Sequence, residues 1–258
     1  MKNATQRIVP LDAAAAPHDG PVHPQALMER AIDSLRVELD PIVTLDATRA
    51  IGHETRLRCD ERLLNGASAL TRLASKLGRR RDVGRRARTL AAITVGLTKA
   101  PFVFLPIDGT DLLDGELYDP TSPLSRVAER VVLVLAEQIP FEDLLNLHSR
   151  VVDLRRLGFS VAIDGVGVSS PGLAACAVMA PDFVRLDPTL LQQIHRAAGH
   201  RLLVRGLCSM FIRLGSRVIA AGIESAIDRD IVSALGCELG QGALFKSAST
   251  LPSVGGIA

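Results

Sequence analysis

Short apolar segments alternate with helix-like segments along most of this 258-residue chain. Several of the short segments lack polar alternation, which is typical of strands that are buried on both faces. The strand-like segments are Val37–Leu45, Glu54–Arg58, Phe102–Ile107, Val131–Ala136, Ser160–Asp164, Phe183–Asp187, Val218–Ala221 and Ala243–Phe245. The helical period predicts helices at Glu61–Leu77, Val83–Leu97, Ser125–Arg130, Phe141–Leu157, Gly172–Met179, Ala197–Gly215 and Ala226–Leu235. This alternation favours an α/β fold, a parallel (β/α)8 barrel of the TIM-barrel type, over an open sheet.

The N-terminal residues differ from the rest of the chain. Residues 1–23 contain Pro10, Pro17 and Pro21 and show no apolar period, so we expect a flexible leader. Pro24 stands where a helix can begin, because proline is tolerated in the first turn of a helix. One α/β barrel commonly needs about 250 residues, and we therefore expect a single barrel domain over residues 24–258.

Composition excludes several classes of partner. The formal net charge of +2 gives no overall attraction to nucleic acid or to an anionic membrane. The chain has no tryptophan and one tyrosine, which leaves few rings for stacking single-stranded bases. No apolar run approaches the roughly 20 residues that a membrane span needs, and no apolar core of a signal peptide follows the N-terminus. The four cysteines are scattered along the chain, which is typical of a reduced protein. We expect a cytoplasmic protein.

The most basic segment of the chain is Arg79–Arg88. Arg81, Arg85 and Arg88 are spaced so that they share one face of a helix. We interpret this face as a solvated surface, the usual role of a charge run. The alternative is a surface that binds an anion or an acidic partner.

Five sequence motifs follow one another at the spacing of a known family. They are Gly52–Arg58 (GHETRLR) after a strand containing Pro41 and Ile42, Leu154–Asp164 (LRRLGFSVAID), Pro181–Asp187 (PDFVRLD), Val218–Ser225 (VIAAGIES) and Leu235–Phe245 (LGCELGQGALF). From about Leu35 to Phe245 the chain resembles the EAL family of cyclic di-GMP phosphodiesterases. The resemblance implies a TIM-barrel-like EAL fold with the functional site at the carboxyl ends of the strands.

The resemblance also implies which catalytic positions remain. Family members use divalent metals to bind the scissile phosphate and to activate water, which requires several oxygen ligands. The remnants of that set are Glu54, Asp164, Glu224 and Gln241. The resemblance implies that family positions are lost at Pro106, Val134, Gly165 and Ala221, where Ala221 replaces a candidate general base, and that the family lysine is replaced by Arg185. We therefore expect a degenerate member that is not an enzyme and holds no metal or other cofactor.

Several positions that contact the nucleotide in the family are retained. The resemblance implies that Pro41, Ile42 and Arg58 keep this role, and the predicted binding set is completed by Arg56, Arg185 and Asp187. Arg56 stands where the family has leucine, and three roles are open to it: a phosphate or guanine contact, a pocket filler, or an exposed strand residue. The predicted ligand is cyclic di-GMP.

Three functions are compatible with this pattern. The first is a cyclic di-GMP receptor or regulator that does not hydrolyse the nucleotide, which the retained Arg58 favours. The second is a protein-interaction module that no longer binds nucleotide. The third is a weak cyclic di-GMP phosphodiesterase. A protein partner is expected, and a homodimer stays open. In the family the loop after Asp164 couples metal binding to dimerisation, and its rewriting here argues against that coupling but not against dimerisation itself.

Overall fold

The computed structural model describes residues 23–46, 49–64, 67–136, 144–167, 170–192, 194–248 and 254–255. The leader predicted over residues 1–23 therefore lies almost wholly outside the described residues. The strands are β1 (Arg36–Thr44), β2 (Ala50–Arg58), β3 (Phe102–Ile107), β4 (Val131–Ala136), β5 (Ser160–Val166), β6 (Phe183–Leu186), β7 (Arg217–Ala221), β8 (Leu239–Gln241) and β9 (Val254–Gly255). The helices are α1 (Pro24–Asp33), α2 (Ala67–Lys76), α3 (Arg80–Leu97), α4 (Gly109–Leu112), α5 (Leu144–Arg156), α6 (Ser170–Met179), α7 (Ala198–Arg213) and α8 (Ala226–Ala234).

The strands close into a barrel, as the alternating pattern predicts. Strands β2 to β8 are parallel and follow one another in chain order, and β1 lies between β8 and β2 and closes the ring. The expectation of an all-parallel barrel is wrong at β1, which is antiparallel to both of its neighbours in the ring. The physical reason is the short connection between β1 and β2, because a parallel crossover needs a dozen or more residues.

The eighth strand of the barrel lies earlier than the sequence pattern predicts. The predicted strand Ala243–Phe245 is part of a 3-10 helix, and the strand is Leu239–Gln241. A side chain at Gly240 would approach Leu45 to 2.4 Å and Ile223 to 2.7 Å, so glycine is needed there for close packing. Glycines in a strand pattern commonly mark such close approaches, although they read as a turn in the sequence.

The strand residues separate into two apolar layers. Alternate residues, such as Val103 and Leu105, face outward and pack with helical residues in the main core. The residues between them fill the barrel interior as a second cluster: Ile42, Ile51, Phe104, Val132, Val134, Ala162, Phe183, Ile219 and Leu239. Phe104 and Phe183 meet edge to face with ring centroids 5.1 Å apart. The interior is therefore a packed core, and the strand ends above it form the mouth.

Most arginines of the basic segment Arg79–Arg88 form ion pairs within the chain. Arg88 is only 3% exposed and pairs with Asp111 and Asp114, so the interpretation of a solvated face is wrong for this residue. Arg85 also binds Asp114 through two hydrogen bonds of 2.9 Å. The acidic partner is therefore the turn that follows β3, and this network fixes α3 against that turn.

Of the helices that the structure describes, none combines the length and apolar character needed to cross a bilayer.

Candidate functional site

A cavity of about 970 Å³ opens at the carboxyl ends of the barrel strands. Its lining residues come from the ends of β2, β3, β5, β6, β7 and β8, from the middle of β1 and from α2, α3 and α4. In barrels of this type the strand ends carry the functional residues. The large cavity at this end of the barrel is therefore the candidate functional site.

Four polar side chains meet on the floor of the cavity, and we call them the mouth cluster: Glu54 on β2, Asp164 on β5, Arg185 on β6 and Gln241 on β8. Arg185 binds Asp164 with its Nε and Nη2 atoms, at 2.6 and 2.5 Å from the two carboxylate oxygens. Its Nη1 atom donates to Glu54 at 2.6 Å and to the amide oxygen of Gln241 at 2.9 Å. The amide nitrogen of Gln241 donates to the other oxygen of Glu54 at 2.7 Å. One guanidinium thus connects three other strands.

The surroundings keep Arg185 charged. Burial opposes the charge, but the hydrogen bonds that Arg185 donates to Asp164 and the negative charge of Glu54 outweigh it and raise the pKa of Arg185 above its ordinary value. The side chain of Arg185 is 12% exposed and that of Glu54 is 5% exposed. Arg185 and Glu54 therefore form a nearly buried ion pair with satisfied hydrogen bonds, whereas Asp164 is partly exposed.

The mouth cluster does not fit the divalent metals that the sequence resemblance implies. Mg²⁺ and Mn²⁺ require several oxygen ligands with free lone pairs in octahedral geometry. Here both oxygens of Asp164, both of Glu54 and the amide oxygen of Gln241 already accept hydrogen bonds. Across the described part of the chain, no three His, Cys, Asp or Glu side chains converge in a way that could hold a metal ion.

The four substituted family positions surround the mouth without supplying ligands. Pro106, Gly165 and Ala221 line the cavity at the ends of β3, β5 and β7. Val134 lies below them in the apolar interior and is directly opposite Pro106 in the β3–β4 register. None of these four residues has the side-chain oxygen that the resemblance implies at its position.

Two arginines on β2 line the cavity above the mouth cluster. Arg56 and Arg58 follow Glu54 at every second residue, so the three side chains share one face of the strand. Arg56 forms an ion pair with Asp40, and its Nη2 atom lies 4.0 Å from Glu54. The Nε atom of Arg58 lies 2.9 Å from Glu38. Both arginines are therefore partly exposed in the cavity and partly neutralised by β1.

The other predicted binding residues divide into two groups. Pro41 lines the cavity, and its partner in the β1–β2 register is His53. Ile42 is fully buried in the barrel interior, and Asp187 accepts a hydrogen bond of 2.7 Å from the backbone of Thr189, where it caps a 3-10 helix. Glu224 is exposed in the turn after β7. Neither Ile42, Asp187 nor Glu224 is among the described residues that line the cavity.

Sequence reasoning missed several charged residues of the cavity wall. Asp40 is the partner of Arg56, and the alternation of charge on β1 and β2 could have revealed it, since residues on one face of paired strands interact. Arg80 and Asp108 form an ion pair on the side of α3. Lys246 is exposed in the 3-10 helix after β8. No local signal marks the last three, because their approach depends on the closed barrel.

Comparisons with known proteins agree on one family. In structure, the chain is similar to the Xanthomonas citri FimX EAL domain in complex with c-diGMP, with a TM-score of 0.74, 17% identity and coverage of 90% of this chain and 93% of that one. At this identity the likeness shows the fold. In sequence, the chain is 30% identical over 106 residues to the Escherichia coli cyclic di-GMP phosphodiesterase PdeR, covering 41% of this chain and 16% of PdeR.

A second curated relative matches a similar share of the chain. It is the Escherichia coli blue light- and temperature-regulated antirepressor BluF, 23% identical over 130 residues, which cover 50% of this chain and 32% of BluF. The chain thus spans less than a third of the length of either curated relative in these matches. The EAL domain family model matches residues 25–248. The chain belongs to the EAL domain family, which is related to cyclic di-GMP phosphodiesterases.

Proposed function

We propose that this chain is a non-catalytic EAL domain that binds cyclic di-GMP at the barrel mouth without a divalent metal and does not hydrolyse it. The observation that carries the proposal is the mouth cluster. In it the guanidinium of Arg185 donates hydrogen bonds to the oxygen atoms of Glu54, Asp164 and Gln241 that could otherwise bind a metal. The proposal has two parts, the loss of hydrolysis and the retention of nucleotide binding, and they rest on different residues.

The loss of hydrolysis follows from the donor set. Phosphodiester hydrolysis of the family type needs a metal-activated water and oxygen ligands that hold the metal in place. The side chains of Pro106, Val134 and Ala221 contain no oxygen that could bind a metal, and Gly165 has no side chain. Missing site geometry is stronger evidence about activity than likeness of fold.

The retention of binding is supported by the size and the arginines of the cavity. A volume of about 970 Å³ is at the upper end of the range for small-molecule sites, about 300–1,000 Å³. Guanidinium groups pair with phosphate without a metal, and Arg56 and Arg58 present two such groups on one wall. A phosphate bound there would share them with Asp40 and Glu38. The FimX EAL domain, whose structure contains c-diGMP, has the same fold and supports the choice of ligand.

Calorimetric titration with cyclic di-GMP tests the binding. We expect the same affinity in excess Mg²⁺ and in excess chelator, because the arginines and not a metal hold the phosphates. Arg58→Met should weaken binding about tenfold or more, since a charge-assisted hydrogen bond contributes roughly 1.5–3 kcal/mol. Arg156→Met is the matched control, because the Arg156 side chain is on the far helix α5 and 75% exposed. Binding that requires metal, or that is unchanged in Arg58→Met, would contradict the proposal.

A second candidate function is a protein-interaction module without nucleotide. The observation that favours it is the neutralisation of the cavity arginines, because Arg56 and Arg58 already have acidic partners on β1. The match to BluF, named as an antirepressor, supports a regulatory role of this kind. This alternative predicts no binding heat at millimolar cyclic di-GMP, and the same titration therefore separates the two functions.

A further inference from the structure

We infer that Arg185 is a built-in counter-cation that takes the place of a divalent metal at the barrel mouth, and that removing its guanidinium exposes the carboxylates to a cation from solution. The inference rests on the metal-free part of the proposed function and not on nucleotide binding. On this account, Arg185 alone prevents a divalent metal from binding at the mouth.

The contacts of Arg185 are those of a central cation. Its hydrogen-bond acceptors on the described residues are all side-chain oxygens, two from Asp164, one from Glu54 and one from Gln241. These are hard oxygen donors of the type that Mg²⁺ and Mn²⁺ prefer. The planar fork of the guanidinium matches the two oxygens of Asp164, while Nη1 reaches across the mouth to β2 and β8. Arg185 therefore binds the side-chain oxygens that a metal ion would otherwise bind.

The negative charge of the mouth is also partly compensated without a metal. Glu54 and Asp164 supply two negative charges, and Arg185 supplies one positive charge between them. A second guanidinium, that of Arg56, lies 4.0 Å from Oε2 of Glu54 and is shared with Asp40. A divalent ion entering this place would meet a cation that cannot lose its proton at neutral pH. It would have to displace the guanidinium while keeping it nearby, and like charges in a poorly solvated site repel strongly.

Direct measurement of Mn²⁺ binding, without nucleotide, tests the inference. Free Mn²⁺ is titrated against the protein and followed by its electron paramagnetic resonance signal. We expect no saturable binding at the mouth of the unmodified chain. Arg185→Ala should show saturable Mn²⁺ binding, at least about tenfold tighter than the weakest binding that the titration of the unmodified chain could detect, because two carboxylates and an amide then converge on an open position. The control Arg185→Ala/Glu54→Gln/Asp164→Asn keeps the open position without the carboxylates and should lose the gained binding.

The thermal stability of Arg185→Ala provides a second readout. Two carboxylates without a counter-ion destabilise the fold, so Mn²⁺ should raise the melting temperature of Arg185→Ala and leave that of the triple variant unchanged. Binding of Mn²⁺ by the unmodified chain that Glu54→Gln abolishes would overturn the inference. It would also be overturned if Arg185→Ala bound Mn²⁺ no better than the unmodified chain, or stayed unfolded at millimolar Mn²⁺. Because no nucleotide is present, failure of cyclic di-GMP binding leaves this test unaffected.

Discussion

Replacing Arg185 with methionine should lower the stability of the whole barrel, even though only one side chain changes. Methionine keeps most of the length of the side chain and removes the charge and all four hydrogen bonds to the mouth cluster. Glu54 and Asp164 then lose the guanidinium that they share. Removing one partner of a buried ion pair costs about 3–5 kcal/mol, because the remaining charge stays desolvated.

The exposure of the partners sets the expected magnitude. Glu54 is almost fully buried, but the side chain of Asp164 is 36% exposed and can regain water. We therefore expect the lower end of the range, a loss of about 3 kcal/mol in the free energy of unfolding. For a domain of this size that corresponds to about 6–12 °C in melting temperature. Urea unfolding in chelator at neutral pH, followed by circular dichroism, measures the loss.

Two controls isolate the charge effect. Arg156→Met removes an exposed i, i+3 ion pair with Asp153 and should cost no more than about 0.5 kcal/mol. The triple variant Arg185→Met/Glu54→Gln/Asp164→Asn removes the uncompensated charges and should recover most of the loss. A cost for Arg185→Met as small as that of Arg156→Met would refute the reasoning. A triple variant no more stable than Arg185→Met would refute it as well.

Three further perturbations give expected outcomes. Gly242→Ala should lower the free energy of unfolding in urea by about 2 kcal/mol or more, because the new Cβ atom would lie 2.1 Å from a backbone carbonyl oxygen. Gly96→Ala on α3 is the control: its Cβ atom would meet no atom within 4 Å, and the variant should be more stable by about 0.5–1 kcal/mol. Burial raises the pKa of Asp111 to about 6, above its ordinary value of 3.8, so the folded state binds this proton more tightly than the unfolded state. Stability relative to Asp111→Asn should therefore rise by about 2 kcal/mol as the pH falls from 7.5 to 4.5, and equal pH profiles would contradict this. Glu38→Gln frees Arg58 from its ion pair and should tighten cyclic di-GMP binding severalfold by calorimetry, where an unchanged affinity would argue against a phosphate contact.

The sequence predicts the barrel well because its strands are buried and locally continuous. Strands β3 to β7 stand where their apolar runs predict them, within a few residues at each end. The two errors, the antiparallel β1 and the displaced β8, arise where chain direction depends on connection length and where Gly240 serves packing. Local pattern contains neither kind of information.

The candidate site was only partly predictable for a related reason. The sequence identifies Glu54, Asp164 and Gln241 as remnants and Arg185 as a substituted lysine. It does not reveal that Arg185 binds all three, since its partners lie 131, 21 and 56 residues away along the chain. The burial of Arg88 was missed in the same way, because its acidic partners belong to a turn more than 20 residues distant. Charge pairing across a closed barrel is a property of the tertiary structure.

The most direct measurement is an assay for linearisation of cyclic di-GMP by the purified chain, with Mg²⁺ or Mn²⁺ in excess and the products separated by chromatography. A mouth whose oxygen donors are held by Arg185 predicts that the cyclic dinucleotide is recovered intact. Metal-dependent appearance of the linear dinucleotide, abolished by Glu54→Ala, would contradict it.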